Sequence, residues 1–397
     1  MSKLLKTLTT LILALCVSVF FVACNDDDAS DAGDATTGDL VYELVTGERT
    51  VNEGTENEST EEYEYYKITG YTVTSADAIK MANGDFSTVK GKREITIPAT
   101  YKDKPVEEIG ASAFADRIIL TKVTFDAGNN IKTIGADAFS GCTNLESIEN
   151  LPFVGKSADA VGEERMLGYV FGSSTTLTAV TEVSAKAYDE LTTTDLKFKF
   201  PTSLKKITVS ADKIPECAFY GMTMLEDVQF ANAVTVGASA FYGCSKLVEV
   251  KMPSVEIVYD NAFAGCTALQ RINFTDNTVL KFIGDGAFNG CTYLGYNYVT
   301  DAEATVKVVI PDTVTYLGSN AFKGCSLLKY VELGTGVADI KTGAFADCTE
   351  LLKVSASNSE LKVKVSAFAG CKKDNLKLYV AGVETSVSDL AFGEYVA

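Results

Sequence analysis

The sequence predicts a repeat solenoid, a stack of similar β-coils, and three observations predict it. A phrase of the form A-F-x-x-C recurs as AFYGC at Ala240–Cys244, AFAGC at Ala262–Cys266, AFNGC at Ala287–Cys291, AFKGC at Ala321–Cys325, AFADC at Ala344–Cys348 and AFAGC at Ala367–Cys371. Between copies runs a short alternating stretch, L-x-x-V-x-apolar, with the period of two that marks a half-buried strand. The chain has 397 residues, 46% of them apolar, enough to fill one long stacked core.

The repeated Phe falls at Phe114, Phe139, Phe171, Phe219, Phe241, Phe263, Phe288, Phe322, Phe345, Phe368 and, in a truncated copy, Phe392, most steps being 22 to 25 residues. One unit has the apolar skeleton Leu225, Val228, Phe230, Val234, Val236, Ala240, Phe241 and Cys244; the next has Leu247, Val250, Met252, Val255, Val258, Ala262, Phe263 and Cys266. The first, fourth and sixth positions of each strand are expected to point inward. The intervening ones line an outer, concave sheet, with successive strands parallel and about 4.8 Å apart. The chain then returns along the far side, where Phe plugs the coil and Gly allows a tight turn. Such a coil cannot bury its apolar side alone, so stability must come from stacking and from special ends.

Residues 39–104 are expected to form an N-terminal β cap and the start of the first repeat, with strands in LVYELVT and YYKITGYTVT; residues 105–397 form the solenoid. Ser184–Leu191, SAKAYDEL, is expected to be a degenerate coil in the long Phe171–Phe219 interval. The insertion LPFVGKSADAVGEERMLGYVFG should fold back onto the solenoid, and VSDLAFGEYVA should be a distorted last copy that protects the open edge.

The phrasing IP…V…IG…AF.GC..L, as in IPDTVTYLGSNAFKGCSLLKYVEL at Ile310–Leu333 and IPATYKDKPVEEIGASAFADRIILTKVTF at Ile97–Phe125, resembles the BspA-like branch of leucine-rich repeats. The resemblance covers nearly all of the chain from Asp39 onward. It implies a curved solenoid of strand plus irregular return, a place on a bacterial surface, and adhesion or host contact without catalysis.

The N-terminus, MSKLLKTLTTLILALCVSVFFVACNDDD, sets Lys3 and Lys6 before an apolar run from Leu8 to Val22, the layout of a secretory signal. Its end, Phe21–Cys24, resembles a lipobox, with Phe in place of the usual Leu. That implies a signal peptide at residues 1–23 and lipidation of Cys24, the alternative being an ordinary cleaved signal. Residues 24–38 read as an acidic disordered tether, which resembles the surface-export signal of outer-membrane lipoproteins. Localisation at the outer membrane, exposed to the outside, follows as an expectation.

The formal net charge is −18, and loss of residues 1–23 leaves 33 basic against 53 acidic residues, or −20. Such a field repels nucleic acid and anionic lipid. With no His in the chain, Ser-His-Asp and Cys-His mechanisms are excluded. No phosphate-cradling Gly loop and no nucleic-acid platform is present, and no cofactor is expected.

Seven cysteines share one phase: Cys142, Cys244, Cys266, Cys291, Cys325, Cys348 and Cys371; Met222 and Arg117 replace it in two units, and Cys217 lies out of phase. Metal binding is disfavoured because C-x-x-C and His are both missing. A ladder does not specify pairs for disulfides, and Met fits as a replacement for a core hydrophobe. The expected role is a packed free thiol, with one or two opportunistic disulfides as the alternative.

Function is expected on the outward positions of the strands: Glu226, Asp227, Gln229, Val248, Glu249, Lys251, Gln270, Arg271, Asn273, Lys329, Tyr330, Glu332, Leu352, Lys353 and Ser355. Their character moves from acidic to basic along the chain. They suit an extracellular or host protein, or a glycan; a solvated sheet face is the other reading. The insertion Tyr293–Thr305 offers a second candidate through Tyr293, Tyr296 and Tyr298. An envelope scaffold, or an accessory protein for capture of a nutrient glycan, is the rival functional class. A carboxylate-dependent hydrolase would need two acids in a deep pocket.

Overall fold

The computed structural model describes residues 40–51, 59–71, 94–172, 180–186, 195–230, 232–274, 277–296 and 307–393. The compact unit is Thr36–Ala397. The expected signal peptide, tether and Cys24 lie outside the described residues.

The unit of construction is visible in residues 225–247. Leu225 enters the core and the front strand Asp227–Phe230 buries Val228 and Phe230 while Gln229 points out. A two-residue back strand, Thr235–Val236, follows on the opposite side. A turn then carries Ala240, Phe241 and Cys244 inward before Leu247 opens the next coil. Front strands pair in parallel in a seven-stranded sheet from 94–97 to 271–273, and a further front sheet runs from 308–310 to 383–385. Back strands form their own parallel sheet from 213–214 to 316–317, followed by 339–340 paired with 362–363. Helix is nearly absent among the described residues: one α-turn at Gly168–Phe171 and 3-10 turns at Gly162–Arg165 and Asp389–Phe392. The expected solenoid is what is observed.

Parallel pairing in strict register forces equivalent residues to stack. The Phe rings form a column with centroids 5.0 Å apart for Phe219–Phe241 and Phe241–Phe263, and 5.3 Å for Phe263–Phe288 and Phe288–Phe322. The backbone of the turn is also shared between coils, because the Phe241 amide donates to the Ala262 carbonyl at 2.7 Å. Only a small side chain at the Ala position admits this approach. Gly265 turns the chain at φ +74°, a left-handed conformation that favours Gly. Gly318 has a different duty: a Cβ there would stand 2.4 Å from the backbone of Gly284 in the coil below.

The cysteines pack as expected but do more than fill space. The Sγ of Cys266 donates to the Phe241 carbonyl at 3.1 Å, and the same contact recurs for Cys142 to Phe114 at 3.0 Å, Cys244 to Phe219 at 3.2 Å and Cys348 to Phe322 at 3.1 Å. Each thiol is a rung joining two coils. All eight described cysteines are free and, apart from half-buried Cys371, buried. Burial pushes the Cys142 thiol up to about 12, and drives Cys266, Cys325 and Cys348 well above the ordinary range. Arg117 keeps the rung where Cys is missing: its Nε donates to the Tyr71 carbonyl at 3.0 Å, and Tyr71 begins the aromatic column, 6.3 Å from Phe114.

Two expectations are corrected. SAKAYDEL is not a degenerate coil. Its first residues, Ser184–Lys186, lie in strand Val180–Lys186, which pairs antiparallel with Asp195–Pro201, while residues 187–191 lie outside the described residues. Front strand 147–151 pairs directly with 206–209, so the hairpin is an excursion within one coil, fastened by Phe200 against Phe171 at 5.3 Å. Val234 is not core either: it is 38% exposed, and Ala233 takes the buried place. The strand is two residues long, and a one-residue shift in the approach to it exchanges the faces.

The cap strands are longer than expected, Leu40–Val51 against Ser59–Tyr71, and the second pairs in parallel with Lys104–Ile109. The cap therefore extends the back side of the stack. At the other end Val383–Thr385 folds antiparallel onto front strand Lys377–Val380, and Phe392 closes the ring column 6.1 Å from Phe368. The insertion after Leu151 buries Phe153, Val154, Met166, Leu167 and Val170, so it does fold onto the solenoid.

Candidate functional site: the outward face of the front sheet

Register decides which predicted residues meet. Asp227, Glu249 and Arg271 stand side by side on three neighbouring strands, as do Gln229, Lys251 and Asn273 one step along. The Arg271 guanidinium pairs with Glu249 at 3.0 Å, and the Gln229 amide donates to Asp227 at 3.1 Å. Lys205 from the preceding coil pairs with Glu226 at 3.3 Å. Glu226, Asp227, Gln229, Glu249, Lys251 and Arg271 together line an open cavity of about 300 Å³, floored by Val228 and walled by Val248. Seven of the predicted residues, Val248 included, are thus gathered in one place.

The others are not part of it. Gln270 precedes the neighbouring strand, where its backbone N–H donates to the Val248 carbonyl at 2.9 Å. Tyr330 stands beside Lys353, and Glu332 beside Ser355, in the later front sheet. Lys329 precedes that strand, and its carbonyl accepts from the Leu352 amide at 2.9 Å. Tyr293 and Tyr296 meet edge to face at 5.8 Å, in a turn rather than in an alternating strand. The regular coil continues to Gly295, whose amide donates to the Gln270 carbonyl at 2.9 Å, so the insertion starts later than expected. Tyr298 lies outside the described residues.

Three features escaped the sequence reading. Lys307, Lys377 and Tyr379 belong to the same outward face, since Val308 pairs with Val331 and Lys353 with Lys377. Their strands, VKVVIP and NLKLYV, align poorly with L-x-x-V by eye, although the IP phrase after the first would have given its phase. A second ladder on the back sheet stacks Phe282 on Tyr316 at 4.4 Å, with Lys341 over the other side of Tyr316 at 3.3 Å. Its ring faces are covered, which leaves edges rather than stacking surfaces. A cavity of about 500 Å³ opens between Lys373, Lys377, Glu384 and Phe392 at the C-terminal end. Among the described residues no group of three or more Cys, Asp or Glu could hold a metal ion.

A family profile described as a BspA-type leucine-rich repeat region matches residues 59–158, 181–305 and 297–392, most of the chain. The chain belongs to the BspA-type leucine-rich repeat family. Among solved structures of similar chains, a leucine-rich repeat protein from Bacteroides ovatus is 20% identical, with 88% of this chain and 79% of that one covered at a TM-score of 0.37. A leucine rich cell surface protein from Faecalibacterium prausnitzii is also 20% identical, over 84% and 76%, with a TM-score of 0.33. The pneumococcal vaccine antigen PcpA is 16% identical, over 79% and 78%, with a TM-score of 0.34. Among curated proteins none matches the chain.

Proposed function

We propose that this BspA-type protein is a non-catalytic lipoprotein, anchored through Cys24 at the outer membrane. Its front sheet binds an extracellular protein or glycan. The carrying observation is the convergence of Glu226, Asp227, Gln229, Glu249, Lys251 and Arg271 around one open cavity on a rigid sheet. The carboxylates there stand on an open face beside cations, an arrangement suited to charge-complementary recognition. The lipobox resemblance and the acidic stretch after Cys24 support the anchoring.

The test is binding to immobilised matrix proteins and glycans at physiological salt. A saturable partner is expected, weakened when Glu249→Lys and Arg271→Glu are combined, an exchange that keeps the ion pair while reversing the surface. Binding untouched by the exchange, but lost on deletion of 297–305, moves the site to the insertion. Incorporation of a palmitate analogue, abolished by Cys24→Ala, tests the anchor.

A further inference from the structure

We infer that the later half of the front sheet binds an anionic polysaccharide, along a column of three lysines and a tyrosine set one coil apart. This rests on reading the front sheet as the binding face. The column is Lys307, Tyr330, Lys353 and Lys377, with Arg271, paired to Glu249 at 3.0 Å, one coil before it. Tyr330, Lys353 and Lys377 are partners in register, and Lys307 precedes Val308, which pairs with Val331, so it abuts Tyr330. Back strands 282–283 and 316–317 pair directly, so the coils of Arg271 and Lys307 are consecutive. Lys329 adds a cation one position before Tyr330. Among the described outward positions of these strands the one acid is Glu332, engaged by Lys307; Glu384 of the capping strand reaches Lys377 at 3.6 Å.

This is a local reversal of sign on a chain whose formal net charge is −18. Coils throughout pair cation with carboxylate, as Lys122 with Glu149 at 2.8 Å, Lys205 with Glu226 at 3.3 Å and Lys307 with Glu332; what sets the later sheet apart is that Lys353 stands in register with Lys377. Within the sheet that begins at 308–310, a strand spacing of about 4.8 Å sets Lys307, Tyr330, Lys353 and Lys377 on a regular pitch over roughly 14 Å. A ligand with charge repeated along a linear chain meets such a column at many points, which a globular surface does not. Tyr330 and Tyr379 place ring area among the cations, suited to sugar faces. A protein partner calls for a clustered apolar anchor, whereas the outward Val309 and Leu352 stand in different coils and columns. At about 0.15 M salt the Debye length of about 8 Å confines the repulsion of the acidic body, so contacts at the column decide the outcome.

The full chain is titrated at 0.15 M salt with heparin, polygalacturonate, neutral dextran and poly-glutamate. Binding to heparin or polygalacturonate and none to dextran is expected. Lys353→Gln with Lys377→Gln should weaken it at least tenfold, and the circular dichroism spectrum checks that the variant is folded. Lys213→Gln on the back sheet should leave binding unchanged. Absence of binding to both acidic glycans overturns the inference, as does equal binding by the column variant. Binding to poly-glutamate alone overturns it in favour of an acidic protein. If the acidic glycans fail while the Glu249/Arg271 exchange still alters binding of a panel partner, the front-face reading stands and this inference alone falls.

Discussion

The cysteine ladder makes the stability of this protein depend on alkaline pH in a way one substitution can isolate. Cys266 is fully buried, its Sγ donates to the Phe241 carbonyl at 3.1 Å, and burial drives its pKa well above the ordinary 9.0. The folded protein then holds this proton at pH values where the unfolded chain has released it. A group whose folded pKa is raised contributes stability that is intact below the unfolded pKa and lost as pH rises above it. From pH 8 to pH 10 the unfolded thiol ionises while the folded one is held back by burial, a loss on the order of 1 kcal/mol for this residue. Cys266→Ala has no proton to lose. At pH 8 it should cost about 2 kcal/mol, through a small cavity and a missing donor. At pH 10 the same substitution should cost roughly 1 kcal/mol, because the wild type has by then lost part of its thiol advantage. Urea unfolding followed by far-ultraviolet circular dichroism at both pH values measures the difference. A cost that is the same at pH 8 and pH 10 would refute the claim that this rung is held as a buried neutral thiol.

Three further outcomes follow from the same geometry. A thiol reagent at pH 8 should leave the fully buried ladder thiols unmodified in the folded protein and label them all in denaturant, with half-buried Cys371 reacting first; mass spectrometry of labelled peptides reads the order. Gly318→Ala should destabilise by about 2–3 kcal/mol, because its Cβ would stand 2.4 Å from the Gly284 backbone, which cannot move without breaking the register; thermal unfolding measures this, and a neutral result would show that the coils can slide apart. Arg117→Ala should cost about 1–2 kcal/mol by removing the donor to the Tyr71 carbonyl, while Arg117→Cys, which restores the repeat, should recover part of it.

What was legible in the sequence is what stacking dictates. A column of Phe rings and a column of inward Leu and Val can be read from periodicity, because every coil must present the same residue at the same place to the coil above. The rung chemistry was not legible. Cys and Met look alike as small or flexible hydrophobes, and only the 3.0–3.3 Å approach of sulfur to the preceding Phe carbonyl separates a donor from a filler. Arg117 looks like an interruption in the sequence but fills the same role with a stronger donor. The misreading of Val234 has a local cause, since a back strand of two residues carries too short an alternation to fix which neighbour is inside. The strands 180–186 and 195–201 mimic a coil because Phe200 lies against Phe171, tilted by 52° at 5.3 Å, and supplies the core contact a coil would make.

The outward positions obey a weaker rule, and departures from it carry the functional information. Adjacent coils place equivalent outward residues a strand apart, so like charges in register repel and opposite charges attract. Ion pairs between successive coils are the general solution here: Lys122–Glu149, Glu249–Arg271, Lys281–Glu256 and Lys372–Glu350 all lie across a coil junction. Exposed pairs of this kind contribute little each, yet their recurrence shows which arrangement stacking alone favours. Lys353 beside Lys377 departs from it; Tyr379 lies 5.2 Å under Lys353 and Glu384 is 3.6 Å from Lys377. In an acidic protein with many carboxylates to place, two in-register lysines with rings beside them are not what stability would select. A charge pattern that works against stacking, on the face whose earlier half holds the cavity, is what the polysaccharide site proposed above accounts for and folding does not.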